Sequence, residues 1–153
     1  MTRVMFVCHG NICRSPMAEL IFKDMVKKRG IEDDFIIASS ATSTEEIWNG
    51  VGNPIYPPAR AELARHGLYD DSKRATLLES DDYDKYDYFL CMDSRNMRNI
   101  KYIFPSDPEG KVKKLMSYTG RDSDVADPWY CGNFDVTYRD IYAGCEAFLN
   151  TLI

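Results

Sequence analysis

Val-Met-Phe-Val-Cys-His-Gly-Asn-Ile-Cys-Arg-Ser-Pro, residues 4–16, runs from an apolar stretch into a cysteine and reaches an arginine through a glycine-bearing turn. Val4 to Val7 has the β-branched and aromatic character of a strand buried on both faces of a sheet. Cys8 then stands at that strand's C-terminal end. Ser15-Pro16 reads as a helix start, because Ser can cap free amides and Pro tolerates the first helical position. The turn from His9 to Arg14 is therefore held between two rigid elements.

A helix N-terminus presents unpaired amides and the positive end of the helix dipole, and so can bind an oxyanion. Gly10 and Asn11 tolerate the unusual backbone angles that a concave nest of amides requires. Arg14 adds a planar, permanently charged fork able to contact two phosphate oxygens. Together these describe a cradle for a tetrahedral dianion, with Cys8 at its base. Amides, dipole and guanidinium all favour the thiolate there, which makes Cys8 a nucleophile.

Outward from this loop, Ala18, Ile21, Phe22, Met25 and Val26 fall at helical spacing over 16–29, ending at Gly30. A second strand is expected over Phe35–Ser39, then a polar loop from Thr42 to Gly52, then a helix from Pro57 to Gly67. A third strand is expected over Tyr86–Met92 and a helix from Asp93 to about Ile103. A weaker fourth strand covers Val112–Met116, where Lys113 and Lys114 suit a partly exposed position, and a last helix covers Phe134–Leu152. Alternating strands and helices imply an α/β fold: one domain over 1–153, three layers, a four-stranded parallel sheet flanked by helices, and the phosphate loop after the first strand. Ligands in such folds bind beyond the strands' C-terminal ends, where Cys8 lies.

The 153 residues, 44% hydrophobic and 28% charged, match neither a disordered chain nor a membrane protein. No apolar run approaches the roughly 20 residues that span a bilayer, and Met1-Thr2-Arg3 enters the first strand without the sections of a secretion signal. A net charge of -5 and scattered basic residues argue against a nucleic-acid partner. Five cysteines, an odd number without paired C-x-x-C units, suggest neither a disulfide framework nor structural zinc. The expectation is a cytoplasmic monomer that uses no metal or cofactor.

Cys8 to Pro16, read as C-H-G-N-I-C-R-S-P, resembles the phosphate loop of the low-molecular-weight protein tyrosine phosphatases. The likeness extends through Ser39–Ser43, His66-Gly67, Phe89–Asn96 with its M-D-x-x-N ending, and Asp127-Pro128. It implies hydrolysis of phosphotyrosine in proteins, or of small phosphomonoesters, through a phosphocysteine intermediate. Cys8 would be the nucleophile and Arg14 the phosphate binder. Asp127, in V-A-D-P-W-Y, would be the general acid for a phenolate leaving group and then the base for the attacking water.

The resemblance also carries over supporting roles. The whole loop, Cys8, His9, Gly10, Asn11, Ile12, Cys13, Arg14 and Ser15, would surround the phosphate. Asn11, Ser15, Ser39 and His66 would hold the loop by hydrogen bonds, although a His beside a helix-ending Gly also reads as a cap or packing residue. Cys13 is a candidate to trap an oxidised Cys8 as a disulfide, and equally a small buried residue. His9, Ile12, Trp48, Trp129 and Tyr130 are rim candidates that would grip an aromatic leaving group; the family more usually has two tyrosines after D-P. Cys91 and Cys145 read as inert core residues, and Cys131 has no assigned role.

Three other readings compete. A thioredoxin-coupled arsenate reductase would need two further cysteines on a mobile segment, where this chain has only Cys91. A phosphocysteine carrier or phosphate-binding module would preserve the adduct that Asp127 helps destroy. Phosphoarginine is an alternative substrate, since the cradle reads the phosphate and only the rim reads what carries it.

Overall fold

Residues 1–153 are described by a computed structural model. The first strand, β1 (Thr2–Cys8), leads through the loop into α1 (Arg14–Lys28), and β2 (Phe35–Ala41) returns parallel to β1. A hairpin follows, β3 (Ile47–Trp48) and β4 (Val51–Gly52), then α2 (Pro57–Arg65), β5 (Tyr88–Cys91), α3 (Ser94–Asn99), β6 (Val112–Lys114), α4 (Pro128–Cys131) and α5 (Phe134–Leu152). The main sheet has the order β2-β1-β5-β6 with every pairing parallel, as the alternation of elements predicts. The central strand β1 is the one that delivers Cys8.

Two apolar layers enclose the sheet. The larger lies on the side of α1, α2 and α5, where the Phe22 ring stands 5.7 Å from Phe6, 5.5 Å from Phe35 and 5.5 Å from Phe148. Fully burying such a ring stabilises the fold by roughly 2–3 kcal/mol. The smaller gathers Met5, Val7, Leu78, Phe89, Cys91, Ile100 and Phe104 on the opposite face. Gly144 of α5 makes close packing possible, since a Cβ there would lie 2.7 Å from Leu115 Cγ.

Several boundaries differ from the sequence expectation. The polar segment from Thr42 to Gly52 contains the β3–β4 hairpin in place of the expected loop, closed by Asn49 (φ 50°) and Gly50 (φ 77°), the positive-φ pair of a tight two-residue turn. The fourth strand stops at Lys114, and Leu115–Thr119 wind into a 3-10 turn that buries Leu115 and Met116. The helix expected over 93–103 ends at Asn99 and tightens to a 3-10 turn over Ile100–Tyr102. Ser15 is not the cap of α1: the helix begins at Arg14 and Cys13 occupies the cap position without a side-chain bond, which leaves the Ser15 hydroxyl free to meet Cys8.

Candidate active site

The β1–α1 loop is pinned from outside. The amides of Thr42, Ser43 and Tyr56 donate to the carbonyls of Cys8 (3.0 Å), His9 (3.0 Å) and Ile12 (2.7 Å). These bonds tie the loop to the segments that follow β2 and precede α2. Asn11 adopts φ 58°, the left-handed conformation that Asn tolerates better than most residues. Gly10 serves another purpose than its expected backbone freedom: a Cβ there would press on Glu46 Cγ at 3.1 Å, so glycine lets the hairpin segment close over the loop.

Cys8 Sγ accepts from the Asn11 amide at 3.3 Å and lies 2.9 Å from Ser15 Oγ. Asn11 Nδ2 donates to Ser15 Oγ (2.8 Å) and Ser39 Oγ (2.9 Å), while its Oδ1 accepts from the Thr76 amide at 3.0 Å. Ser39 Oγ donates in turn to Glu19 at 2.6 Å. Asn11, Ser15 and Ser39 are almost wholly buried, so each bond is worth more than on the surface and costs more to break.

Arg14 is held from two sides. One amino group donates to Asp93 at 2.8 Å and stands 3.7 Å from Asp127, and the other donates to the Val125 carbonyl at 3.1 Å. Burial works against the Arg14 charge, but Cys8, Asp93 and Asp127 outweigh it and push the guanidinium above its ordinary value. Asp93 is itself fixed as the cap of α3, accepting from the Asn96 amide at 2.7 Å. Asp127 caps α4, accepting from the Trp129 amide at 3.0 Å.

The cavity of about 690 Å³ around these groups is lined by the whole loop from Cys8 to Arg14, by Asp93, Arg95, Asn96 and Asp124–Cys131, and by Glu45 and Glu46. His9 lies in its wall, with Nε2 3.0 Å from Glu45. Ile12 lines it too, and Trp129, packed on Tyr56 with ring centroids 4.6 Å apart and planes tilted by 38°, stands with exposed Tyr130 at the mouth.

Two expected site residues lie elsewhere. His66 makes no bond to the loop: it ends α2, its Nε2 meets Glu62 at 2.9 Å, and its ring stacks on Tyr138 at 3.7 Å. The capping and packing reading is the correct one. Trp48 sits on β3, 79% exposed, and does not line the cavity. Conversely, sequence reasoning missed Glu19, Lys73, Thr76 and Asp93 as parts of the site. Only Asp93 leaves a signal in the sequence, the M-D-x-x-N stretch.

Cys13 is buried beside the loop, and burial, reinforced by the negative charge of Cys8, pushes its thiol up strongly against the pull of Arg14. Cys91 and Cys145 are also buried, and burial likewise raises their thiols. Cys131 is exposed at the cavity mouth.

The three-layer α/β fold brings a cysteine, an arginine and an aspartate together around one cavity at the β1–α1 turn, at the C-terminal ends of the parallel strands where α/β folds bind their ligands. The family model for low molecular weight phosphotyrosine protein phosphatase matches residues 3–153. The YfkJ phosphatase of Bacillus subtilis is 36% identical over 99% of this chain and 96% of its own, and its crystal structure superposes with a TM-score of 0.89, covering 99% of this chain and 94% of that one. The PtpA phosphatase of Staphylococcus saprophyticus is 37% identical over 100% and 95% of the two chains. A Drosophila arginine phosphatase structure is 31% identical, with a TM-score of 0.86 over 99% and 98%. The chain belongs to the low-molecular-weight phosphotyrosine protein phosphatase family and is a phosphatase.

Proposed function

We propose that the protein hydrolyses phosphotyrosine in proteins, and small aryl phosphates, through a phosphocysteine on Cys8. The observation that carries this reading is the convergence on one sulfur of the Asn11 amide and the Ser15 hydroxyl, with the Arg14 guanidinium reaching to within 3.7 Å of Asp127. Cys8 Sγ attacks phosphorus in line with the leaving oxygen, so that an S–P bond forms as the P–O bond breaks. Asp127 gives its proton to that oxygen. The loop amides and Arg14 carry the charge of the equatorial oxygens. Asp127, now a carboxylate, takes a proton from water; the water oxygen bonds to phosphorus and the S–P electrons return to Cys8.

Cys91 and Cys145 are buried in β5 and α5, where they are poorly placed to serve an arsenate reductase. Asp127 in the cavity wall speaks for turnover and against a stable carrier. Phosphoarginine is the second reading, favoured by the likeness to the Drosophila arginine phosphatase. We place the activity in a reducing, cytoplasmic setting and in a monomer, since the five cysteines are unpaired, four of them buried, and one chain supplies every group named above. Steady-state kinetics on phosphotyrosine, phosphoserine and phosphoarginine peptides, with Cys8→Ser as the blank, test the reading. Turnover of phosphotyrosine that vanishes in the blank is expected; thioredoxin-dependent arsenate turnover with little phosphatase activity would overturn it.

A further inference from the structure

Behind the phosphate loop, the hydrogen-bond chain that ends on Cys8 begins in a buried cluster of charges. Glu19 lies one helical turn past Ser15 on α1 and is 7% exposed. Its carboxylate accepts from Ser39 Oγ at 2.6 Å and from Lys23 at 2.6 Å. Lys73 Nζ donates to the Ser39 carbonyl at 3.1 Å and stands 3.8 Å from Glu19. The same segment supplies the Thr76 amide that holds Asn11 Oδ1 and pairs its Leu77 beside Ala41 at the end of β2.

The direction of every link is forced. Ser39 has one hydroxyl proton, and an ionised Glu19 can only accept it, so Ser39 must accept from Asn11. The Thr76 N–H fixes the Asn11 amide with its oxygen outward and its nitrogen toward both serines. Ser15 therefore accepts a hydrogen bond from Asn11 and has its own hydroxyl proton left to donate to Cys8 Sγ, the polarity that a thiolate needs.

This arrangement brings a difficulty with it. A buried carboxylate at the far end of the chain opposes a second anion at Cys8, and only a nearby cation offsets it. Lys23 is half exposed, whereas Lys73 is mostly buried. We propose that Lys73 is the rear cation of this site, a positioning residue that compensates Glu19 and so keeps Cys8 anionic while Glu19 orients the Ser39–Asn11–Ser15 donors. Burial lowers the Lys73 ammonium; Glu19, Cys8 and Asp70 support its charge and Lys23 opposes it. The coupling is reciprocal: an anion at Cys8 that favours charged Lys73 is favoured by it in equal measure. The other groups facing Cys8 are Asn11, Ser15 and Arg14 from its own loop and helix, Asp93 and Asp127 through Arg14, and the thiols of Cys13 and of Cys91 on β5.

The role rests on the phosphocysteine reading above, but its test does not need turnover. Iodoacetamide alkylation is followed from pH 4 to 9 in the full chain, with peptide-resolved mass spectrometry separating Cys8 from exposed Cys131, in the unmodified protein, Lys73→Met, Lys73→Arg and the double variant Glu19→Gln/Lys73→Met. Melting temperatures are measured alongside. Lys73→Met should move the Cys8 midpoint up by about one pH unit, roughly tenfold slower alkylation below it. Lys73→Arg, which keeps the charge, and the double variant, which removes both charges, should lie close to the unmodified protein. Midpoints that coincide in all four proteins, or that shift equally in Lys73→Met and Lys73→Arg in step with their melting temperatures, would overturn the proposal. Absence of Cys8-dependent hydrolysis in the unmodified protein would instead sink the phosphatase reading and leave this comparison intact.

Discussion

The base and the rim of the cavity are built on opposite plans. At the base, Cys8, Asn11, Arg14, Ser15 and Ser39 are buried, and each is tied to others of the set or to Glu19, Asp93 and Thr76 by short hydrogen bonds. At the rim, Trp129 and Tyr130 are exposed on a four-residue helix, and Glu45 is exposed on the facing hairpin segment. A buried network cannot lose one member without leaving another unpaired, so the base admits few sequences. An exposed side chain at the mouth can change with little effect on folding, so the rim is where specificity is free to vary.

The comparison breaks first if the base tolerates change. Cys8→Ser should lose at least ~10⁴-fold in kcat on p-nitrophenyl phosphate; retention of more than a few per cent of activity would show another nucleophile. Arg14→Ala should cost roughly 10³–10⁵-fold. Asp127→Asn should cost roughly 10²–10⁴-fold, with the loss largest for poor leaving groups such as alkyl phosphates, because a good leaving group needs no proton. Asn11→Ala should lower stability by about 2–3 kcal/mol in urea melts, since it leaves Ser15, Ser39 and the Thr76 amide short of a partner and places Ala at φ 58°.

Rim changes should be smaller and of another kind. Trp129→Ala should raise KM for a phosphotyrosine peptide up to about tenfold with kcat nearly unchanged, the loss of one aromatic contact. Trp48→Ala should leave p-nitrophenyl phosphate kinetics unaltered and stability within about 0.5 kcal/mol. The cysteines sharpen the contrast further: iodoacetamide at pH 7 should modify Cys8 and exposed Cys131. Cys13, Cys91 and Cys145, whose buried thiols are held above their ordinary range, stay protonated and should remain unmodified over the same period.

What the sequence disclosed follows the same division. The strand–loop–helix at residues 4–16, the apolar face of α1 and the whole of α5 were legible because each signal lies within a few neighbouring residues. The groups behind the loop were not, because Lys73 lies 34 positions from Ser39 and Thr76 lies 65 from Asn11, and nothing local marks them as partners. Asn49-Gly50 did carry a hairpin signal, which the surrounding polar residues masked. His66 failed for a different reason: a likeness of residue type next to a glycine says nothing about which neighbour the ring will meet, and Glu62 with Tyr138 supplies that neighbour.

The central claim is that phosphorus is transferred to the Cys8 sulfur. It is tested most directly by mixing Asp127→Asn with excess phosphotyrosine peptide, quenching within milliseconds and locating the bound phosphate by peptide-resolved mass spectrometry. The account predicts up to one phosphate per chain, held on Cys8 through an acid-stable, iodine-labile S–P bond. Prompt release of phosphate with no adduct at any time, or an adduct on a residue other than Cys8, would contradict it.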